Sequence, residues 1–193
     1  MKTVFFGVDS QLDFLYPAGA LYVPGAERIV SAIVRLNRFA AAQGIPIVST
    51  ADAHAENDPE FSAWPPHCIA GATGQHKAES TLIAGARQIV VEKQTVDVFQ
   101  APSLAGVLEH LNADAYVVYG VVTEICVLSA ALGLLRLGGP VTVVTDANAA
   151  LRAEGSRDAL DQIVAAGGRL ATVDEACLPG LAGLTSPPRG HPD

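Results

Sequence analysis

Cys126 lies in the run GVVTEICVLSA, which reads as a strand, a glycine, a turn and then a helix. A thiol at a helix N-terminus faces the positive end of the helix dipole, which favours thiolate. The unpaired N–H groups of a first helical turn can also hold an oxyanion. The same position equally suits a small buried hydrophobe, the commonest role of a free cysteine. Asp9 and Lys93 each follow a short apolar run. Taken singly, they are a turn residue and a solvated side chain. Taken with Cys126, they form a nucleophile–acid–cation set: Lys93 stabilises negative charge, and Asp9 takes the thiol proton and delivers it to a leaving amine. A second constellation lies in ADAHAENDPEFSAWPPHC at 51–68, which offers Asp52, His54, Glu60 and His67. An Asp and a His two apart on an extended segment project to the same side. Mixed imidazole and carboxylate donors suit Zn²⁺, Fe²⁺ or Mn²⁺. The spacing is not that of a zinc finger, and a polar surface loop is the competing reading.

These groups need elements to position them, and the hydrophobic pattern supplies six short apolar runs alternating with helical stripes. Strands are expected at 4–8, 45–50, 88–92, 115–119, 141–145 and 170–173, and helices at 26–43, 82–86, 104–111, 125–137 and 156–166. Gly44, Gly138-Gly139 and Gly167-Gly168 supply helix stops. Strands with little internal polarity, alternating with helices, predict a three-layer α/β/α sandwich around a central, mainly parallel six-stranded sheet. Ligands bind such sheets beyond the carboxyl ends of the strands. Asp9, Asp52, His54, Lys93, Thr123, Glu124, Cys126 and Asp146 collect at those ends, so several should converge on one crevice. The stretch 49–79 shows no periodicity, and a long irregular insertion in a compact domain is usually functional.

Composition sets the outer bounds. The 193 residues suit one domain, here expected over 1–183, with a Pro-rich polar tail at 184–193. A net charge of −8 disfavours nucleic acid as a partner. No apolar run reaches the ~18 residues of a membrane span, and MKTVFFGVD reads as a buried first strand rather than a signal peptide. The three cysteines, at 68, 126 and 177, fit a reducing compartment rather than a disulfide framework. A cytoplasmic protein is expected, and the 50% hydrophobic content makes a homo-oligomer plausible.

Four segments, VDSQLDF at 8–14, TADAHAENDPEF with WPPHC at 50–68, EK at 92–93 and GVVTEICV at 120–127, resemble in order and spacing the nicotinamidase branch of the isochorismatase-like cysteine hydrolases. The resemblance covers roughly residues 3–175. It implies a triad of Cys126, Asp9 and Lys93. It also implies an oxyanion hole from the N–H groups of Val122 and Cys126, beside a cis peptide between Val121 and Val122. It implies a divalent metal, foremost Zn²⁺, on Asp52, His54 and His67. Glu60 stands where several relatives carry a third metal histidine, and can itself be a ligand. Phe14, Trp64 and Val121 match substrate-contact positions, the two aromatic rings sandwiching a flat amide. Gln11 and Asp13 either support this constellation by hydrogen bonding or cap the loop after the first strand. One departure stands out: QTVDVFQAP at 94–102 lacks the tyrosine-containing stretch of many nicotinamidases, and this loop shapes the pocket.

Three functions follow. The first is a metal-containing nicotinamidase acting through a thioester on Cys126. The second is a cysteine amidohydrolase of the same superfamily acting on another small amide or carbamoyl compound. The third is a catalytically silent binding domain, which would have no need of Asp9, Lys93 and Cys126 in register.

Overall fold

The computed structural model describes residues 2–178. Six strands, β1 (Thr3–Val8), β2 (Ile47–Asp52), β3 (Gln88–Lys93), β4 (Ala115–Val121), β5 (Val141–Ala149) and β6 (Arg169–Ala171), form one sheet in the order β3-β2-β1-β4-β5-β6. Every pairing is parallel, so the expected mainly parallel sheet is wholly parallel. The central strands are buried on both faces, which is why they read as continuous apolar runs rather than alternating ones. The strand period of two splits β1 between two cores. Phe5 packs with Ile33 and Leu36 of α2 (Val30–Ala42). Val4 and Phe6 pack with Leu104 of α3 (Pro102–Leu111), Leu134 of α4 (Leu128–Arg136) and Ile163 of α5 (Ala153–Ala165). Short helices Leu12–Leu15 (α1) and Val173–Ala176 (α6) complete the layers.

Several local expectations are corrected. The stripe at 26–43 divides into a 3₁₀ turn, Ala26–Ile29, and then α2. Residues 82–86 are not helical: Gly85 takes a left-handed φ of 78°, and the only helical turn nearby is Glu79–Thr81. β5 runs on to Ala149, so Asp146 is inside a strand, where its Oδ1 caps the Val173 N–H instead of facing the crevice. Val173 opens α6 rather than ending β6. The irregular stretch begins only after Asp52, because Ser49 to Asp52 belong to β2. The tail at 184–193 lies outside the described residues. Among the described residues, no helix is long and apolar enough to cross a membrane.

The chain leaves β1 for β2 on one side and later returns to β4 on the other. The carboxyl ends of β1 and β4 therefore flank the topological switch point, where α/β sheets open a crevice. Gly120, near the end of β4, has φ 129°, and a Cβ there would sit 2.0 Å from the Val8 carbonyl oxygen. Only glycine lets β4 approach β1 so closely at this point.

Candidate active site

Four neighbouring strands each deliver one group to the crevice. Asp9 follows β1 with a φ of 45°, Asp52 ends β2, Lys93 ends β3 and Cys126 follows β4. Asp52 and Lys93 are register partners across the β2–β3 ladder, so their side chains leave the same face together. Lys93 Nζ lies 3.0 Å from Asp9 Oδ2 and 3.7 Å from Cys126 Sγ, and it also donates to Asp52 Oδ1. All four residues are buried. Asp9 is held from behind: Thr50 Oγ1 donates to Asp9 Oδ1 at 2.5 Å, and the Asp9 N–H donates back to Thr50 Oγ1 at 3.2 Å. That fixes the free Oδ2 toward Lys93.

Burial penalises every charge in this cluster, and pairing decides the outcome. Burial alone would lower the Lys93 pKa, but Asp9, Cys126 and Asp52 outweigh it and hold the ammonium well above the ordinary lysine value. Burial likewise opposes the Asp52 carboxylate, yet Lys93 and His54 keep its pKa below the ordinary value. Cys126 goes the other way. Burial drives its thiol well above the usual range, Lys93 pulls against this, and Asp9 and Asp52 add to the rise. The expected thiolate at a helix N-terminus is therefore corrected twice. Cys126 lies in a π-helical turn, Thr123–Val127, that runs on into α4, and desolvation outweighs the nearby cation. Such a nucleophile rests as a thiol beside its base and loses its proton as it attacks.

The peptide between Val121 and Val122 is cis. Val121, Val122 and Cys126 line a cavity of ≈ 40 Å³ together with Asp9, Phe14, Trp64, Glu60 and His67. Leu21, Val23, Val96, Ile125 and Leu151 supply the remaining, apolar wall. No lysine or arginine is among these lining residues, and the two acidic side chains there are Asp9 and Glu60. The space is small, and its polar side chains include Asp9 and Cys126 of the catalytic cluster and Glu60 and His67.

Asp52, His54 and His67 bring one donor atom each within 4.8 Å of one another. Asp52 Oδ2 lies 3.8 Å from His54 Nε2 and 3.9 Å from His67 Nε2. The opposite ring nitrogens are tied: His54 Nδ1 to Asp58 Oδ2 at 3.1 Å, and His67 Nδ1 to the Pro65 carbonyl at 2.7 Å. Such ties fix the tautomer that leaves Nε2 as the lone-pair donor. His54 Nε2 is buried without a hydrogen-bond partner. A buried, unpartnered imidazole nitrogen aimed at a carboxylate and a second imidazole fits a divalent cation. Phe61 packs against both rings, at centroid distances of 5.4 Å and 5.7 Å. Glu60 lines the cavity but lies outside the three-donor cluster.

Sequence reasoning noted Asp58 in the irregular stretch without a role for it, and missed Phe61, Thr50 and Lys77. Asp58 carried a signal, an acid four residues from His54; the others carried none, because their roles come from long-range packing. Of the two possibilities for Gln11 and Asp13, Gln11 supports the site, and Asp13 does both, its Oδ1 accepting from the Ala20 N–H at 2.9 Å in the loop after the first strand. Gln11 Nε2 donates to the Asp52 carbonyl at 2.8 Å and Gln11 Oε1 accepts from the Asp52 N–H at 2.7 Å, clamping the residue that ends β2. Asp13 Oδ2 accepts from the Cys68 N–H at 2.7 Å, next to His67. A Cβ at Gly74 would lie 2.1 Å from that same carboxylate. Thr123 and Glu124 stay outside the reacting cluster. Thr123 Oγ1 donates to the Ala149 carbonyl, and Glu124 Oε1 accepts from the N–H groups of Leu151 and Arg152.

Residues 3–175 match the isochorismatase domain, and the chain belongs to this family of hydrolases. Within it, the chain is 26% identical to a nicotinamidase of Escherichia coli, an alignment that covers 86% of this chain and 92% of that one. The zinc complex of a pyrazinamidase from Pyrococcus horikoshii superimposes with a TM-score of 0.82 at 28% identity, covering 89% of this chain and 99% of that chain. An N-carbamoylsarcosine amidase from Thermoplasma acidophilum superimposes with a TM-score of 0.80 at 27% identity, covering 91% and 98%.

Proposed function

We propose that this protein is a metal-containing cysteine amidohydrolase that converts nicotinamide to nicotinic acid and ammonia. The observation that carries this reading is the meeting of Asp9, Lys93 and Cys126 beside a small cavity that is also lined by His67 of a three-donor cation site. The Cys126 thiol gives its proton to Asp9 as sulfur attacks the amide carbon. The N–H groups of Val122 and Cys126 receive the oxyanion. Asp9 then passes the proton to the leaving nitrogen, and ammonia departs from a thioester. Asp9 next deprotonates water, which hydrolyses the thioester and returns the proton to sulfur. Lys93 stays charged throughout and offsets the charge that moves between sulfur and Asp9. Phe14 and Trp64 flank the ring, and Val121 supports its edge.

Asp52, His54 and His67 would hold the divalent ion, and Glu60 on the cavity wall is the further carboxylate proposed to join them. Zn²⁺ suits the donor set best, with Fe²⁺ and Mn²⁺ also compatible. When bound there, the ion supplies a Lewis-acid contact at or near the pyridine nitrogen that orients the ring. His54→Ala is expected to lower the bound metal to less than about a tenth of the wild-type stoichiometry, since outer partners alone change affinity by roughly 10–100-fold. Metal analysis of the purified variant checks this, and unchanged stoichiometry rejects the site.

A second reading, hydrolysis of another small amide or carbamoyl compound, draws on the apolar Val96 within the 94–102 loop and on the likeness to a carbamoyl amidase. The wall separates the two: Phe14, Trp64 and the apolar side chains around them suit an aromatic ring better than a charged aliphatic chain. Neutral aromatic amides are therefore expected to be preferred. The test is ammonia release from nicotinamide, pyrazinamide, an aliphatic amide and an N-carbamoyl amino acid. Release from the first two supports the nicotinamidase reading. Release from the carbamoyl compound alone overturns it.

A further inference from the structure

The sequence between His67 and β3 carries one group that the mechanism leaves unused. Lys77 is 8% exposed, with its side chain sealed in the interior. Lysine is among the residues most rarely buried, because an ammonium removed from water needs compensating partners. The chain nevertheless goes to some length to hold it there. Residues 75–78 are stitched to the loop after β1: Leu12 N–H donates to the His76 carbonyl, Ala78 N–H to the Ser10 carbonyl, and Lys77 pairs with Gln11 in an isolated antiparallel bridge. Lys77 Nζ then donates to the Thr50 carbonyl at 2.8 Å. Thr50 is the residue that holds Asp9 both ways, through Oγ1 to the carboxylate and from the Asp9 N–H to Oγ1.

We propose that Lys77 is a positioning residue for Asp9, acting through Thr50. The proposal rests on the reading of Asp9 as the base that serves Cys126. Two structural features support it. The first is the continuous chain from Lys77 Nζ to the Thr50 carbonyl, and from the hydroxyl of the same residue to Asp9 Oδ1. The second is the antiparallel bridge of Lys77 with Gln11, whose side chain clamps Asp52, so the segment that carries the ammonium is tied to the loop that carries Asp9. Burial pushes the Lys77 ammonium down to about 8, while Asp9 and Asp52 pull it up and Lys93 and Cys68 act as the weaker remaining influences. Held at its carbonyl by Lys77, Thr50 keeps its hydroxyl on Asp9 Oδ1, which leaves Oδ2 toward Lys93.

The test uses Lys77→Met, which keeps the stem and removes the charge and donors, together with Thr50→Val and Thr50→Ser. Two readouts are taken: kcat and KM on nicotinamide, and the rate of Cys126 alkylation by iodoacetamide at pH 7, followed by mass. Lys77→Met is expected to lower kcat and the alkylation rate by about 10- to 100-fold, the range that follows from a lost buried partner. KM is expected to change by less than about threefold, because uniform binding is untouched. Thr50→Val is expected to reproduce the loss and Thr50→Ser to restore most of it. A packing role alone would lower the melting temperature without splitting kcat from KM and without moving alkylation. A folded Lys77→Met protein with wild-type kcat and alkylation overturns the proposal. If that variant does not fold, Lys77→Gln, too short to reach the Thr50 carbonyl as the ammonium does, takes its place: slowed alkylation supports the proposal, and wild-type kcat and alkylation overturn it. Alkylation does not depend on the substrate, so a protein that turns over no pyridine carboxamide overturns the nicotinamidase reading while the alkylation rates still decide the role of Lys77.

Discussion

Cys126→Ala is expected to abolish amide hydrolysis, by about 10⁴-fold or more, while leaving the protein folded. The size of the effect follows from what remains. With sulfur gone, Asp9 and Glu60 are the other candidate nucleophiles among the cavity-lining residues. Asp9 is engaged by Thr50 and Lys93. Glu60 lies on the wall toward the histidine cluster, and burial raises its pKa, which weakens it as a nucleophile. A water attacking directly would need Asp9 as its base and would forgo the thioester that divides one hard step into two. Folding should tolerate the change. Cys126 contributes one sulfur to the core around Val127, Ala130 and Leu134, and removing an atom of that size costs about 1 kcal/mol. That corresponds to a fall of roughly 2–4 °C in melting temperature for a chain of this length. Ammonia release and thermal unfolding of the same preparation give both numbers. Activity within tenfold of wild type would mean that a water, not the sulfur, attacks the amide, and the thioester would have to be abandoned.

The parts of this site that were legible in the sequence share one property: each is local. Asp9, Asp52, Lys93 and Cys126 follow or end apolar strand runs, and a parallel sheet places ligands beyond strand ends whatever the strand order. The order itself, with β1 between β2 and β4, was not legible. Nothing in a strand's own residues records its neighbours, and the Asp52–Lys93 register emerges only once β2 lies against β3. The π-helical turn at Thr123–Val127 was also hidden. An apolar run through Ile125 and Val127 has the same composition whether its first turn is α or π. The Cys126 proton was misread for a related reason. The helix-dipole argument depends on solvent access, and only the packing reveals that desolvation is the larger effect. Lys77 is the clearest case. A lysine between His76 and Ala78 looks solvated, and its burial follows from the hydrogen bonds its two neighbours make with Leu12 and Ser10, which set it opposite Gln11, more than sixty residues earlier in the chain.

Lys93→Ala tests the electrostatic core of the site, and its effect should appear in three separable ways. The first is stability. Removing the ammonium leaves Asp9 and Asp52 facing each other's charge with Lys93 gone from between them. Breaking a buried pair by deleting one partner costs about 3–5 kcal/mol, since the orphaned charge stays desolvated. Urea unfolding near neutral pH should show a loss of this order, and at acidic pH the loss should shrink. The sign follows from Asp52: Lys93 and His54 hold its folded-state pKa below the ordinary value, so the stabilisation is present above that ordinary value and is lost as pH falls through the folded one. The second is reactivity. Lys93 is the influence that opposes the burial-driven rise of the Cys126 thiol, so its removal should raise that pKa further and slow iodoacetamide alkylation near neutral pH by about tenfold or more, one pKa unit being a tenfold change in thiolate. The third is turnover, expected to fall by about 10³-fold or more as the developing charge on sulfur loses its cation. If alkylation stayed at the wild-type rate in a folded variant, Lys93 would be a structural tie for Asp52 alone, and the charge on sulfur would be held by the backbone of the π-helical turn.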